Sequence, residues 1–360
     1  FKYFYKIFYN YLPFFSSFRI PSMILIISNF CLYILCAFGL NDLLKILKDK
    51  FSNINTKLAI NVFLIISLID IYRIDSQIIN PQPFSGGQTQ IINNYDFDRI
   101  FEEDETIIFL KENLGLNRIY PAGAIFTDPK FKYYGIESVG GYHPAKFGHY
   151  SNLMKNSNNL LSIPVMQMLN VKYIISPIEI NHSMLSFVKN TEFNSVNGSM
   201  NVFIYSLNNS APRAWFIKDV ISEDNNIYNY LTANAFNPLK TAVIKDIEPK
   251  RYHVGKVINT EWNVHEVAIE YESADSGILI LSEIFYPNRW KAYIDNKEVK
   301  ILKANGVLRA VNVEAGDNKV IFKYDNSLFK ILLKISNLFV VLISLYIFKP
   351  YLMSLLKNFR

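Results

Sequence analysis

The sequence predicts a membrane-anchored protein: α-helical, with about three transmembrane helices, plus an extracytoplasmic α/β region and a C-terminal β-sandwich. Three observations lead there. Only 19% of the 360 residues are charged, while 50% are hydrophobic; soluble domains average about 25% charged. The apolar residues gather in long uncharged runs near the two ends. The last third of the chain reads instead as short alternating strands separated by turn residues. The mean hydropathy of +0.12 fits such a mixture of spans and water-facing mass. This content excludes a disordered chain, and the sequence lacks the periods of collagen or a coiled coil. Two cysteines exclude a disulfide scaffold. The net charge of +6, from 37 basic and 31 acidic residues, is mild and points to no nucleic acid.

Residues 1–19 form the first segment. Ten aromatics lie in residues 1–18, a composition suited to the headgroup layer or, alternatively, to a lip over a lipid-linked substrate. The run from Ile20 to Asn41 carries no charge. Its length as a helix, about 33 Å, covers a hydrocarbon core of about 30 Å. Cys31 and Cys36 fall inside this span and read as packing residues rather than as a disulfide or metal pair. Residues 58–73 are expected to form a second span, extended backward with Lys57 snorkelling to the interface; a soluble core helix is the competing reading. Residues 331–348 form the third.

The short loops orient these spans. Residues 42–57 hold Lys45, Lys48, Lys50 and Lys57 against Asp42 and Asp49, and residues 349–360 hold Lys349, Lys357 and Arg360 with no acid. Both are expected on the cytoplasmic side, which leaves residues 1–19 and 74–330 outside. There, residues 76–240 read as mixed α/β. Helices are expected at 98–114, 160–170 and 224–235, and strands at 171–176, 201–207 and 214–218. Residues 241–327 read as the sandwich, with strands at 242–247, 252–260, 264–271, 277–285, 290–294, 298–303, 307–313 and 318–324. Hairpin turns are expected at Asp295-Asn296, Asn305-Gly306 and 315–317.

No Gly-rich phosphate loop, HExxH, GxSxG or CxxC is present. His143 and His149, six residues apart, do not have helical ligand spacing, and no further ligands lie near them in sequence. No metal or other cofactor is therefore expected. Two stretches carry chemistry. In residues 140–150 (GGYHPAKFGHY), Gly140-Gly141 permit close backbone approach, and Tyr142, His143 and Lys146 can meet a sugar or phosphate. A loop packed for structural reasons is the alternative. In residues 285–293 (FYPNRWKAY), Trp290 can stack on a sugar; the alternative puts Trp290 and Tyr293 in the sandwich core. Arg19, just before the first span, can meet a lipid phosphate or serve as an interface anchor.

These stretches, with FRIPSMILII at 18–27, QMLNVKYII at 167–175, AWF at 214–216 and the whole of 286–324, resemble the C-terminal half of YfhO-type bacterial membrane proteins. Asn288 and Asn296 stand where the family pattern has Gly. The family is similar to GT-C glycosyltransferases. The resemblance implies transfer of sugar from a polyprenyl-phosphate carrier, at the outer face of the bacterial cytoplasmic membrane, to an envelope glycopolymer or lipid. It also implies partners: the bilayer, the lipid-linked sugar and an envelope glycan. In such enzymes the catalytic acid lies in the first outside loop, near the N-terminus. Because residue 1 is Phe, the chain is expected to be the tail of a larger protein, with that acid elsewhere. A membrane-anchored glycan-binding or envelope-assembly module without catalysis is the competing expectation.

Overall fold

A computed structural model describes residues 2–11, 25–50, 56–79, 94–143, 146–196, 198–222, 227–245 and 247–358. The chain divides into two compact units, Phe1–Asn93 and Asn94–Arg360.

The first unit holds three helices: α1 (Lys2–Tyr11), α2 (Leu25–Lys50) and α3 (Thr56–Ile79). Helix α2 does not stop at Asn41. It continues through a stretch of good helix formers, where Asp42 and Lys45 pair at 2.9 Å, so much of the expected loop is helical. Large apolar side chains such as Phe30, Tyr33 and Phe38 face outward, as a lipid-facing surface requires. Cys31 and Cys36 are likewise free and exposed, so they do not pack within the chain as expected. Among the described residues, two helical stretches are long and apolar enough to cross a membrane: Ser28–Ile46 and, in the second unit, Ser327–Lys349. Helix α3 does not qualify. Lys57, Asp70, Arg73 and Asp75 leave an uncharged stretch at residues 58–69, only about 18 Å of helix.

The second unit opens with α4 (Asn94–Phe101) and α5 (Glu105–Asn113), where one continuous helix was expected. The break falls at Asp104. Its backbone is extended, and its Oδ1 accepts from the Ile107 N–H at 3.0 Å, capping α5. Three sheets follow. The first orders β1 (Arg118–Pro121), β2 (Val171–Ser176), β4 (Gly198–Leu207) and β3 (Leu185–Ser195), with β1 and β2 parallel and the other pairs antiparallel. Three short helices, α6 (Lys130–Tyr133), α7 (Gly148–Asn156) and α8 (Ile163–Met168), connect β1 to β2. Helix α8 is shorter than the expected 160–170 because Pro164 fixes its first turn.

The second sheet has six strands: β5 (Ala214–Ile217), β10 (Gly277–Ile284), β14 (Leu308–Val313), β13 (Leu302–Ala304), β7 (Thr241–Ile244) and β6 (Asp219–Ser222), in that spatial order. It therefore recruits β5 and β6 from before residue 241. Helix α9 (Ile227–Thr232) links β6 to β7. The third sheet orders β12 (Lys297–Val299), β11 (Trp290–Ile294), β15 (Lys319–Tyr324), β9 (Glu266–Glu272) and β8 (Lys256–Asn263). Helix α10 (Ser327–Asn358) leaves from the end of β15.

Side-chain alternation explains the layering. In β10, Ile278 and Ile280 join one buried cluster with β2, β4 and α8, while Leu279 and Leu281 join a second cluster with β9, β11 and β15. Strand β14 divides the same way, with Leu308 and Ala310 on one side and Val311 and Val313 on the other. The six-stranded sheet is thus covered on both faces, which is why GILIL reads as an unbroken apolar run. The second cluster draws from both the six- and five-stranded sheets, and Phe216 meets Tyr271 edge-on across it at 5.6 Å. The hairpin turns form where expected. Asp295 and Asn296 both take positive φ (47° and 63°), as do Asn305 and Gly306 (49° and 70°), the geometry of a type I′ turn, which Asn tolerates as Gly does.

Candidate functional site

The two chemically suggestive stretches come together in space. Phe147 packs against Tyr286 with ring centroids 5.2 Å apart, and His149 faces Phe285 at 6.2 Å. Tyr142, His143 and Lys146 stand exposed on the first loop; Pro144 and Ala145, between them, and Arg19 lie outside the described residues. The loop is pinned at both ends. The Gly141 N–H donates to the Phe126 carbonyl at 2.7 Å. The Tyr150 hydroxyl, half-buried, donates to the Val139 carbonyl at 2.5 Å, and burial pushes its pKa well above the usual phenol range. Nearby Tyr120 donates to the Asn159 carbonyl at 3.1 Å, and burial pushes it up to about 12. Both phenols stay protonated and serve as donors.

The glycine pair has an internal use. A Cβ on Gly140 would collide with the Phe126 carbonyl and its ring. Close approach, expected for a ligand, is here spent on the neighbouring loop. Trp290 also has protein partners. The Arg309 guanidinium lies over its ring at 4.0 Å, and Tyr324 meets its edge at 5.6 Å. Trp290 shares a strand face with Ala292 and Ile294 against the core between the two sheets. Tyr293 points to the opposite face, so the two aromatics are not core partners. Tyr142, His143 and Lys146 bring a phenol, an imidazole and an ammonium to the solvent-exposed surface of this pinned loop. Such a set suits sugar hydroxyls or phosphate oxygens.

Sequence reading missed a charged cluster. Arg118 donates from Nε to Glu137 at 3.2 Å and from Nη2 to Glu283 at 2.8 Å, and Arg213 donates to the same two carboxylates at 2.6 and 2.5 Å. Arg118 also donates to the Ser282 carbonyl at 2.8 Å. The cluster ties the first sheet to the six-stranded one. Its trace was present in the sequence: Ser282-Glu283 interrupts the apolar run of β10. Among the described residues, no three His, Cys, Asp or Glu side chains gather to hold a metal. Two open clefts, of 860 and 670 Å³, are lined by other residues than Tyr142, His143, Lys146 and Trp290.

Fold and surface together define a membrane protein with a sheet-rich extramembrane region. Residues 246–336, from before β8 into α10, match the model of the family described as bacterial membrane protein YfhO. The resemblance carried by 286–324 therefore stands. No curated protein matches the sequence. Among solved structures, the chain is similar to the cryo-EM structure of arabinofuranosyltransferase AftD from Mycobacteria, at 14% identity and a TM-score of 0.18, over 42% of this chain and 12% of that one. A mutant of the same protein matches at 15% identity and the same TM-score, over 43% and 12%. The chain thus spans about an eighth of the length of these proteins, and so small an overlap carries neither fold nor activity across.

Proposed function

We propose that the chain is part of an integral membrane GT-C-like glycosyltransferase that moves sugar from a polyprenyl-phosphate carrier to an envelope glycopolymer or lipid. The family match over residues 246–336 is the observation that carries this reading. In it, the six- and five-stranded sheets form an extracytoplasmic sandwich over 241–327 together with β5 and β6, carried by an α/β region at 76–240. The pinned loop offers Tyr142, His143 and Lys146 to the carrier phosphate or the acceptor sugar. Arg19 meets the lipid phosphate. The proton of the acceptor hydroxyl needs a base, which the resemblance assigns to a loop outside this chain. We expect no metal or other cofactor.

A three-span topology belongs to the proposal, with α3 crossing in spite of its charges. Charge bookkeeping supports it. If α2 and α10 alone crossed, the basic segments at 42–57 and 349–360 would face opposite sides. With α3 crossing, both lie on the cytoplasmic side, and Lys57 and Arg73 snorkel at its two ends.

The alternative is a non-catalytic glycan-binding or assembly module. The 670 Å³ cleft between edge strands β5 and β8 favours it, since Asn259 and Thr260 bring an amide and a hydroxyl to its lining. Sugar transfer by the full protein in membranes separates the two. Alanine at Tyr142, His143 and Lys146 is expected to lower transfer more than about tenfold with an unchanged melting temperature. Unchanged transfer in all three variants removes the loop from the substrate path. Glycan binding by a protein without transfer activity favours the module.

A further inference from the structure

We infer that the end of the sheet-rich region from which α10 departs is a membrane-docking rim that sits in the headgroup layer of an anionic bilayer. The inference rests on reading α10 as a span. Tyr324 ends β15, and Ser327 begins α10; three residues of chain reach at most about 11 Å. Three segments are tied to that exit point. The Asp325 N–H donates to the Arg289 carbonyl at 2.6 Å, and the Tyr324 N–H donates to the His265 carbonyl at 2.9 Å. The rings of His265 and Trp290 lie 5.7 and 5.6 Å from that of Tyr324. Tyr286, in the same loop as Arg289, brings in Phe147.

The tips of these segments are apolar where water would not favour it. Val264, at the turn between β8 and β9, is 87% exposed, and Phe147 is 50% exposed. Lys146 is exposed beside Phe147, and Arg289 lies next to Asn288 and Pro287 at the loop tip. A ring of apolar and aromatic tips with adjacent cations, beside a transmembrane helix, has the composition of an interfacial anchor. Docking would hold the loop of residues 140–150 at the bilayer surface, at the depth of a lipid phosphate.

The full chain, in a Cys31→Ser/Cys36→Ser background, is reconstituted in vesicles containing phosphatidylglycerol. Single cysteines carry an environment-sensitive fluorophore: Val264→Cys and Phe147→Cys on the rim, Ala274→Cys at the opposite end of the sheets, and Leu338→Cys inside α10. Lipids bear a nitroxide either near the headgroup or near the acyl-chain end. The rim probes are expected to shift to the blue and lose emission with the shallow quencher more than with the deep one. The Ala274 probe is expected to be unaffected, and the Leu338 probe to be quenched by the deep label. Rim probes that stay unquenched while Leu338 is quenched overturn the rim and leave the span standing. Rim probes that shift to the blue without lipid quenching assign the surface to protein and also overturn it. An unquenched Leu338 probe overturns the span, and the rim with it.

Discussion

The guanidinium of Arg309 lies 4.0 Å from the centre of the Trp290 ring, between the six- and five-stranded sheets. Its Nε donates to the Ile284 carbonyl at 2.9 Å, while Nη1 is buried with no hydrogen-bond partner among the described residues. Burial therefore pulls the side chain down to about 10, against a smaller upward pull from Glu283. Because the folded value is below the unfolded one, the cost of the buried charge is fully present below pH 10. It is relieved only as the pH rises from there toward the usual arginine value.

Arg309→Met removes that charge and keeps most of the volume over Trp290, so the lost hydrogen bond and the relieved desolvation offset each other. The expected change is within about 1.5 kcal/mol of the parent. Arg309→Ala loses the same bond and also opens a cavity against the indole. It is expected to be less stable than Arg309→Met by about 2 kcal/mol. Thermal unfolding of the two variants in detergent checks this. Equal stabilities would mean that packing against Trp290 contributes nothing.

Lys130 is fully buried and bonds Asp104 at 2.5 Å, while Asp104 is 6% exposed. The same carboxylate caps α5 and accepts from the Asn194 N–H at 2.9 Å. One residue thus joins a helix start, a strand and a buried cation. Lys130→Met leaves this carboxylate without its counter-charge and is expected to cost about 3–5 kcal/mol. In Asp104→Asn/Lys130→Met no buried charge remains, and the loss is expected to be smaller than the sum of the two single losses. Additive losses in a double-mutant cycle would contradict the pairing.

What the sequence revealed and what it hid divide along physical lines. The strand from Val171 to Ser176 and the one from Trp290 to Ile294 fall where β-branched and aromatic runs end at turn residues, because local chemistry alone decides them. The run GILIL was legible as a strand, but its two-sided burial was not, since that depends on which sheets cover it. Strand β3 was invisible because one half, Leu185–Asn190, is mostly exposed and mixes Leu, Phe and Val with Ser, Lys and Asn in no alternating pattern; pairing with β4 makes it a strand. In the candidate site, the meeting of Phe147 with Tyr286 lies more than a hundred residues apart in the chain, and no local pattern encodes it. Trp290 was legible as aromatic, but Arg309, which covers it, comes from another strand in the opposite sheet.

Asp325 joins the rim to the start of α10. Its Oδ1 accepts from the Ser327 N–H at 3.0 Å, and hydrogen bonding from the Ser327 hydroxyl, then from that N–H, holds its carboxyl below the usual aspartate range. A depressed folded value means that the contribution is present at and above the ordinary aspartate range. It is lost as the pH falls through the folded value. Asp325→Asn retains an acceptor for Ser327, so its stability should lose this acid dependence while changing little at neutral pH. Unfolding midpoints measured from pH 7 down to pH 2 are expected to fall more steeply in the parent than in Asp325→Asn. Parallel curves would exclude the cap.

The cluster of Arg118, Arg213, Glu137 and Glu283 tests how the first sheet is held to the six-stranded one. Glu283 Oε1 accepts from both arginines, at 2.8 and 2.5 Å, and Glu137 Oε2 does the same at 3.2 and 2.6 Å. Arg213 further lays its guanidinium over Trp262 at 4.5 Å, which brings in the five-stranded sheet. A planar fork suits this geometry and an ammonium does not: it cannot reach Glu137, Glu283 and the Leu116 carbonyl at once. Arg213→Lys is therefore expected to cost about 2 kcal/mol, far more than an exposed Arg→Lys exchange. Glu283→Gln removes the charge that faces both guanidiniums, and its cost is expected to couple to that of Arg213→Lys by about 1–2 kcal/mol. High salt is expected to change the loss at Arg213 little, because both arginine side chains are nearly buried, at 13% and 8% exposure. A loss that vanished in high salt, or no coupling between the two sites, would reduce the cluster to surface pairing.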